Sequence, residues 1–425
     1  MRGLFIAWLL LVPVVVGAQT HFNDFQVETR AGSDPADQWR SIPLWRVDPQ
    51  QQLIWVRVRF DLPQTLLRQG TPLGLYVFAP VSYEAWWNGT FIGRNGTPGN
   101  SREAEVPGRL ESRVFIPAPL VRSGSNVLLL RMSSFHMAGR LHVPIQAIEV
   151  REFGAPRIES NRQHVFRLMA GGALLLGAVY FGALFVSNRR DVSSLLLTLL
   201  SLSVLAQLLA ESIRFLVNYL YPFHVVRLRL IVAFAGSSAL LLVAYLAHRH
   251  ARAWWPALLG IATTLVALCM AFIPGYDAKT YAIMLAGLLV SGVSVVPGLR
   301  AKIPGARLML ALIAGSLALG VIDPYVFLDL TYYLAIVMLL FVLFAWQVVD
   351  LRRAQRVQAE ATLRATRLEL ELLRQQIQPH FLMNTLTALC EWVESDPAVG
   401  VKMIEALGEE LRAMAAMREA STVPL

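Results

Sequence analysis

Charge is scarce in this chain. Only 16% of its 425 residues are charged while 55% are hydrophobic, a balance that excludes an ordinary water-soluble domain and predicts an integral membrane protein. Cysteine is scarcer still. Cys269 and Cys390 stand far apart, so no disulfide framework and no thiolate metal site is written in the sequence. Glycine-rich phosphate loops are missing from the C-terminal stretch, where Gly400 and Gly408 are the glycines after His380. No internal repeat, low-complexity tract or inverted pair of broken spans points to a solenoid or a transporter. The net charge of +9 is accounted for by loops that face anionic headgroups. Membrane lipid is therefore an expected partner, and nucleic acid is not.

What the chain has in abundance is apolar runs. Between residues 160 and 349 stretches near twenty residues recur, each long enough to cross a bilayer. They predict a seven-helix transmembrane bundle with spans centred near Leu175, Leu200, Leu240, Val266, Leu288, Leu312 and Leu340. Glu211 and Arg214 intrude on the second, whose apolar pattern carries on to Leu220. Arg189, Arg190, Arg249, Arg252, Arg300, Lys302, Arg307 and Arg352 fall on one set of connections, against Arg214, Arg227, Arg229 and Lys279 on the other. By the positive-inside rule the first set is cytoplasmic. Residues 1 to 18 have the basic end, apolar run and small-residue site of a signal peptide, the alternative being an uncleaved anchor. The expected location is the bacterial inner membrane, with the N-terminal domain outside and residue 350 onward in the cytoplasm. Glu211, Asp323 and Asp329 fall near the outer ends of spans, where a charge helps form a ligand pocket or gate, or simply sits satisfied at the interface.

Residues 19 to 155 read as strands. WVRVRFDL at 55 to 62 and LGLYVFAP at 73 to 80 mix alternating and continuous apolar residues, and Asn88-Gly89 and Asn95-Gly96 are hairpin-turn dipeptides. Together they predict an extracytoplasmic all-β sandwich. Trp86 and Trp87 are candidate ligand contacts, because aromatic rings stack on sugar faces, although such rings also fill sandwich cores. Successive strand residues face opposite ways, so one of the pair belongs to the core and the other is free to meet a ligand. The segment YEAWWNGTFIGRNG, followed by LVRSGSNVLLLRM, resembles the galactose-binding-like jelly rolls of some glycosidases and bacterial sensors. That likeness implies a carbohydrate or other small ligand outside the cell.

The cytoplasmic part reads as helix. Leu363, Leu370 and Ile377 recur every seventh residue with Leu373 between them, the seam of a coiled coil over 350 to 378. His380 follows Leu373 by seven, and Asn384 lies four further on, on the same helical face. A neutral imidazole is a competent nucleophile near neutral pH, while Pro379 beside it should loosen the helix. The plain alternative is a polar residue at a kink. After a turn near Glu394 to Pro397, Met403 or Ile404, Leu407, Leu411 and Met414 keep helical spacing. Two such helices from each of two chains make a four-helix dimerisation bundle over 379 to 425.

Gln376, Ile377, Pro379, His380, Phe381, Leu382, Asn384, Thr385 and Leu386 form a run that resembles the phosphotransfer helix of LytS-type sensor histidine kinases, with Met383 where phenylalanine is usual. The resemblance implies that His380 is the phosphoacceptor, that Asn384 gives it polar support, and that a response-regulator aspartate receives the phosphoryl group. It implies a homodimer, with ATP and Mg as cofactors. Phe381 stands where many histidine kinases place an acidic base, so the proton acceptor stays unassigned. The family continues into an ATP-binding domain whose glycine-rich lid has no counterpart after His380. ATP is therefore expected from a separate ATP-binding domain, or the product is truncated. The whole plan also resembles bacterial seven-transmembrane receptors that join an outer ligand domain to diverse signalling modules. A non-enzymatic receptor or scaffold that dimerises through its coil is the competing expectation.

Overall fold

A computed structural model describes residues 26–31, 39–62, 72–154 and 158–420. The expected signal peptide at 1 to 18 lies outside the described residues. The chain divides into two compact units, Met1–Phe344 and Ala345–Leu425.

The first unit begins with strands β1 (Gln26–Ala31), β2 (Arg40–Ser41), β3 (Leu53–Leu62), β4 (Leu73–Phe78), β5 (Ser82–Trp87), β6 (Thr90–Asn95), β7 (Glu111–Ile116), β8 (Gly124–Ser133) and β9 (Ala147–Glu152). They form two antiparallel sheets, one ordered β2-β1-β3-β8-β5-β6 and one ordered β7-β4-β9. Alternation decides which face is buried. Along β3, Val56, Val58, Phe60 and Leu62 turn inward while Trp55, Arg57, Arg59 and Asp61 keep contact with solvent. Leu75 and Val77 of the smaller sheet meet Val58, Leu128 and Leu130 of the larger one in a shared core, and each such side chain contributes roughly 1.5–3 kcal/mol by leaving water. Trp87 is fully buried and stacks on Phe60 at 5.9 Å.

Asn88-Gly89 makes the β5–β6 hairpin as expected. Both residues have positive φ, 49° and 87°, the backbone that a two-residue hairpin demands. Asn95-Gly96 does not make a hairpin. Asn95 ends β6, where its side-chain amide donates to the carbonyl of Arg109 at 2.7 Å and its oxygen accepts the Arg109 N–H at 2.8 Å. Gly96, at φ 70°, lets the Val106 backbone pass where a Cβ would stand. Here the dipeptide serves a long-range contact that sequence spacing does not reveal.

The helices are α1 (Ile158–Ser187), α2 (Val192–Leu216), α3 (Phe223–His250), α4 (Trp255–Phe272), α5 (Tyr276–Arg300) and α6 (Ala306–Ile322). A single turn, Pro324–Val326, and a π turn, Phe327–Thr331, then lead into α7 (Tyr332–Ser395), followed by α8 (Pro397–Ala420). Each expected span centre falls in an apolar helix, but among the described residues six helices, not seven, are long and apolar enough to cross a membrane. The exception is α6. Its 17 residues rise about 25 Å, short of a hydrocarbon core of about 30 Å, because Gly305 starts it with left-handed backbone and Asp323 closes it by capping the next turn.

The α2–α3 turn joins the sheets to the helices. α2 stops at Leu216, before the end of the apolar pattern, and the turn is used as an extra strand-like edge. The Leu110 N–H donates to the Tyr219 carbonyl at 3.1 Å, and the Tyr221 N–H donates to the Gly108 carbonyl at 2.9 Å. Between them Arg109 bridges Leu220. The Tyr221 hydroxyl is fully buried, accepts the His136 N–H at 3.0 Å and donates to Glu105. Glu105, itself buried, also accepts from the Ser82 hydroxyl at 2.9 Å and the Phe135 N–H at 2.6 Å.

Tyr83 gives the sandwich a measurable pH signature. Its ring is fully buried and its hydroxyl bonds Ser112 at 2.7 Å. Burial pushes its pKa up to about 12. A raised value means that the stability it adds is complete below the unfolded value of about 10 and is lost as pH rises through about 12. The denaturation midpoint of the sheet domain should fall over that window. In Tyr83→Phe the fall between pH 10 and 12 should be shallower.

Candidate functional site

In the second unit α7 carries the sequence motif. The helix is unbroken from Tyr332 to Ser395, about 96 Å at 1.5 Å per residue, so Pro379 does not interrupt it. Proline removes one helical donor, and the helix tolerates that single loss. His380 lies within this helix, and its side chain is outside the described residues. Asn384, one turn on, is exposed. The predicted turn falls at Asp396, whose carboxylate accepts the N–H of Ala398 at 3.1 Å and of Val399 at 3.4 Å, with Pro397 opening α8. An N-cap aspartate followed by proline is favoured because the cap satisfies free N–H groups and proline has none to lose. A Cβ on Gly400 would come within 2.7 Å of Val393, so the absent side chain lets α8 fold back closely on α7.

Gly400 is spent on helix packing, Gly408 is mid-helix, and among the described residues no group of His, Cys, Asp or Glu is arranged to hold a metal ion. The seam leucines Leu363 and Leu370 are more than half exposed, as are Leu368 and Leu372.

The first unit holds a second constellation. Arg227 on α3 is buried and pairs with Glu211 on α2 at 2.9 Å, while its Nε donates to the Ala210 carbonyl at 2.8 Å. His224, one turn back, meets the Tyr219 hydroxyl at 3.1 Å. Arg167 on α1 is equally buried, pairs with the Asp329 carboxylate at 3.3 Å and donates to the Asp329 carbonyl at 2.9 Å. It thereby ties α1 to the π turn ahead of α7. Gln207, one turn from Glu211, is fully buried with neither amide atom paired. Of the acids singled out in sequence, Glu211 and Asp329 thus enter ion pairs, while Asp323 caps the Val326 N–H at 3.0 Å. Arg227, which completes one pair, was legible only as an orientation signal, because a partner on another helix leaves no mark in spacing.

Trp86 and Trp87 face opposite sides of β5. Trp87 lies in the core and Trp86 is partly exposed, its ring 5.4 Å from that of Trp55 and 5.6 Å from that of Phe91.

Residues 368–425 match the family model described as histidine kinase. That similarity supports a histidine kinase region there, and His380 and Asn384 lie inside the matched residues. No curated protein matches the chain. Among solved structures, a beta-D-mannosidase from Dictyoglomus thermophilum is similar at 16% identity, over 26% of this chain and 15% of that one, with a TM-score of 0.19.

The ion pairs predict asymmetric mutant behaviour. Arg227→Met leaves the half-buried Glu211 without its cation and should cost roughly 3 kcal/mol, the low end for breaking a buried pair. The double variant Arg227→Met with Glu211→Met removes both charges and should recover most of that loss. Thermal unfolding of the detergent-purified chain checks this.

Proposed function

We propose that the chain is a membrane sensor histidine kinase of a two-component system, with His380 as phosphoacceptor. The observation that carries this reading is the ordered run from Gln376 to Leu386 inside a region matched by the histidine kinase family model. A ring nitrogen of His380 takes the phosphoryl group from ATP bound by an ATP-binding domain outside the described residues, and passes it to a response-regulator aspartate. Asn384, one turn away, is positioned to support the ring or the phosphate. Magnesium belongs with the nucleotide, on that other domain.

The exposed leucines of α7 support a homodimer, since an apolar seam in water is stabilised by a second copy. The basic connections at Arg189 and Arg190, Arg249 and Arg252, and Arg300 and Lys302 support an orientation with the sheet domain outside and His380 in the cytoplasm of a bacterial cell. In that reading the short α6 completes a bundle of seven spans, the sheets are a jelly-roll sensor of a carbohydrate or other small ligand, and the coil from 350 to 378 carries the signal to His380 as a change of phase. A second reading is a receptor or scaffold that dimerises through its coil without kinase output, which the exposed leucines of α7 support equally.

Incubation of the full chain with radiolabelled ATP and a separately supplied ATP-binding domain of the family tests this. Acid-labile label should appear and vanish in His380→Ala, and absence of label from a dimeric, folded chain would leave the receptor reading. One residue inserted near Ala361 should turn the downstream helix by about 100° and change the labelling rate in response to the stimulus. An unchanged rate would count against signalling through helix phase.

A further inference from the structure

The outward face of the six-stranded sheet bears a row of aromatic rings that its core does not use. Trp39 precedes β2, Trp55 is on β3, Trp86 on β5 and Phe91 on β6, so the row crosses the strands. At about 4.8 Å per strand, β2 to β6 covers roughly 24 Å. The tryptophans are partly exposed and Phe91 is 52% exposed. Trp55 and Trp86 lie 5.4 Å apart, and Trp86 and Phe91 lie 5.6 Å apart. Each tryptophan keeps part of its ring open to solvent. Trp55 and Trp86 are tilted by 36° and Phe91 meets Trp86 at 65°, so the row offers apolar ring surfaces at successive angles.

Arginine completes the row. Arg30 lies over the rings of both Trp39 and Trp55, at 5.5 and 6.0 Å. Its Nε has no hydrogen-bond partner, and among the described residues no carboxylate pairs with it. Its neighbours differ, since Arg57 and Arg59 share Glu28, and Arg131 has Glu84 at 3.2 Å. Counting Asp61 as well, the described residues of this face still have more guanidinium groups than carboxylates. With Nε buried, the terminal Nη groups of Arg30 are left to meet a carboxylate, while the charge lies over the two indole rings.

We propose that this face binds an acidic oligosaccharide, its pyranose rings stacking on Trp55, Trp86 and Phe91 and a uronate-type carboxylate meeting Arg30. This deepens the sensor reading above, on which it rests, by naming the class of ligand. An acidic peptide fits less well, because extended peptides add along a sheet edge whereas this row crosses the strands.

The test uses the full chain in lipid nanodiscs and titrates tetragalacturonate, its methyl ester and a polyglutamate peptide, with binding read by calorimetry and tryptophan fluorescence. The acid should bind at least about tenfold tighter than the ester, a difference of about 1.4 kcal/mol. Arg30→Gln should bring the acid down to the level of the ester, Arg30→Lys should fall between, and Trp86→Ala should weaken both sugars. Trp45→Ala, at an exposed ring elsewhere, should leave binding unchanged. Equal affinity for acid and ester, no binding of either, indifference to Arg30→Gln in a chain with unchanged Tm, or polyglutamate binding as tightly as the acid would each overturn the proposal. Phosphorylation of His380, measured without sugar, separates the two readings: lost sugar binding with labelling intact removes this site alone, and lost labelling with sugar binding intact removes the kinase alone.

Discussion

A buried carboxylate must be surrounded by donors or give up its charge, and the first unit is organised around one that is. Glu105 sits in the sheet domain, yet one of its donors is the Tyr221 hydroxyl from the turn between α2 and α3. The remaining donors, Ser82 and the Phe135 N–H, come from the strand region, so a single side chain draws sheets and helices into one body. The backbone pairing of residues 108 to 110 with 219 to 221 follows from the same constraint. Peptide groups at the end of an apolar bundle need partners, and the sheet domain supplies them.

The same economy governs the helices. Arginine is expensive in an apolar bundle and persists where a carboxylate and a carbonyl both accept from it. Arg227 binds Glu211 and the Ala210 carbonyl, and Arg167 binds both the side chain and the carbonyl of Asp329. These pairs tie α2 to α3 and α1 to the head of α7. The helix that carries His380 therefore begins at a point held from the side by a charged contact.

What was legible in the sequence was local. The alternation of β3, the Asn88-Gly89 turn, the apolar runs and the Asp396-Pro397 helix start each follow from the conformations that neighbouring residues allow, and each stands where spacing put it. What escaped is long-range. Asn95-Gly96 has the composition of a turn and serves as a bracket for Arg109, and the shortness of α6 depends on caps at both ends. Trp86 and Trp87 could be assigned to opposite faces by parity alone, but the rings that Trp86 joins lie on strands distant in sequence. The run from Gln376 to Leu386 was legible because it is contiguous. The Tyr221–Glu105 contact, across 116 positions, was not.

The π turn at Phe327–Thr331 gives the last of these helices an unusual angular origin. A turn of this kind holds one residue more than an α turn, and each residue of an α-helix advances about 100° around its axis. The direction in which Tyr333 and Ile336 face inside the bundle is thus inherited from the turn just before them. Wherever Arg167 keeps its hold on the Asp329 carbonyl, that extra residue stays in place, and the azimuth of the first turns of α7 is set with it.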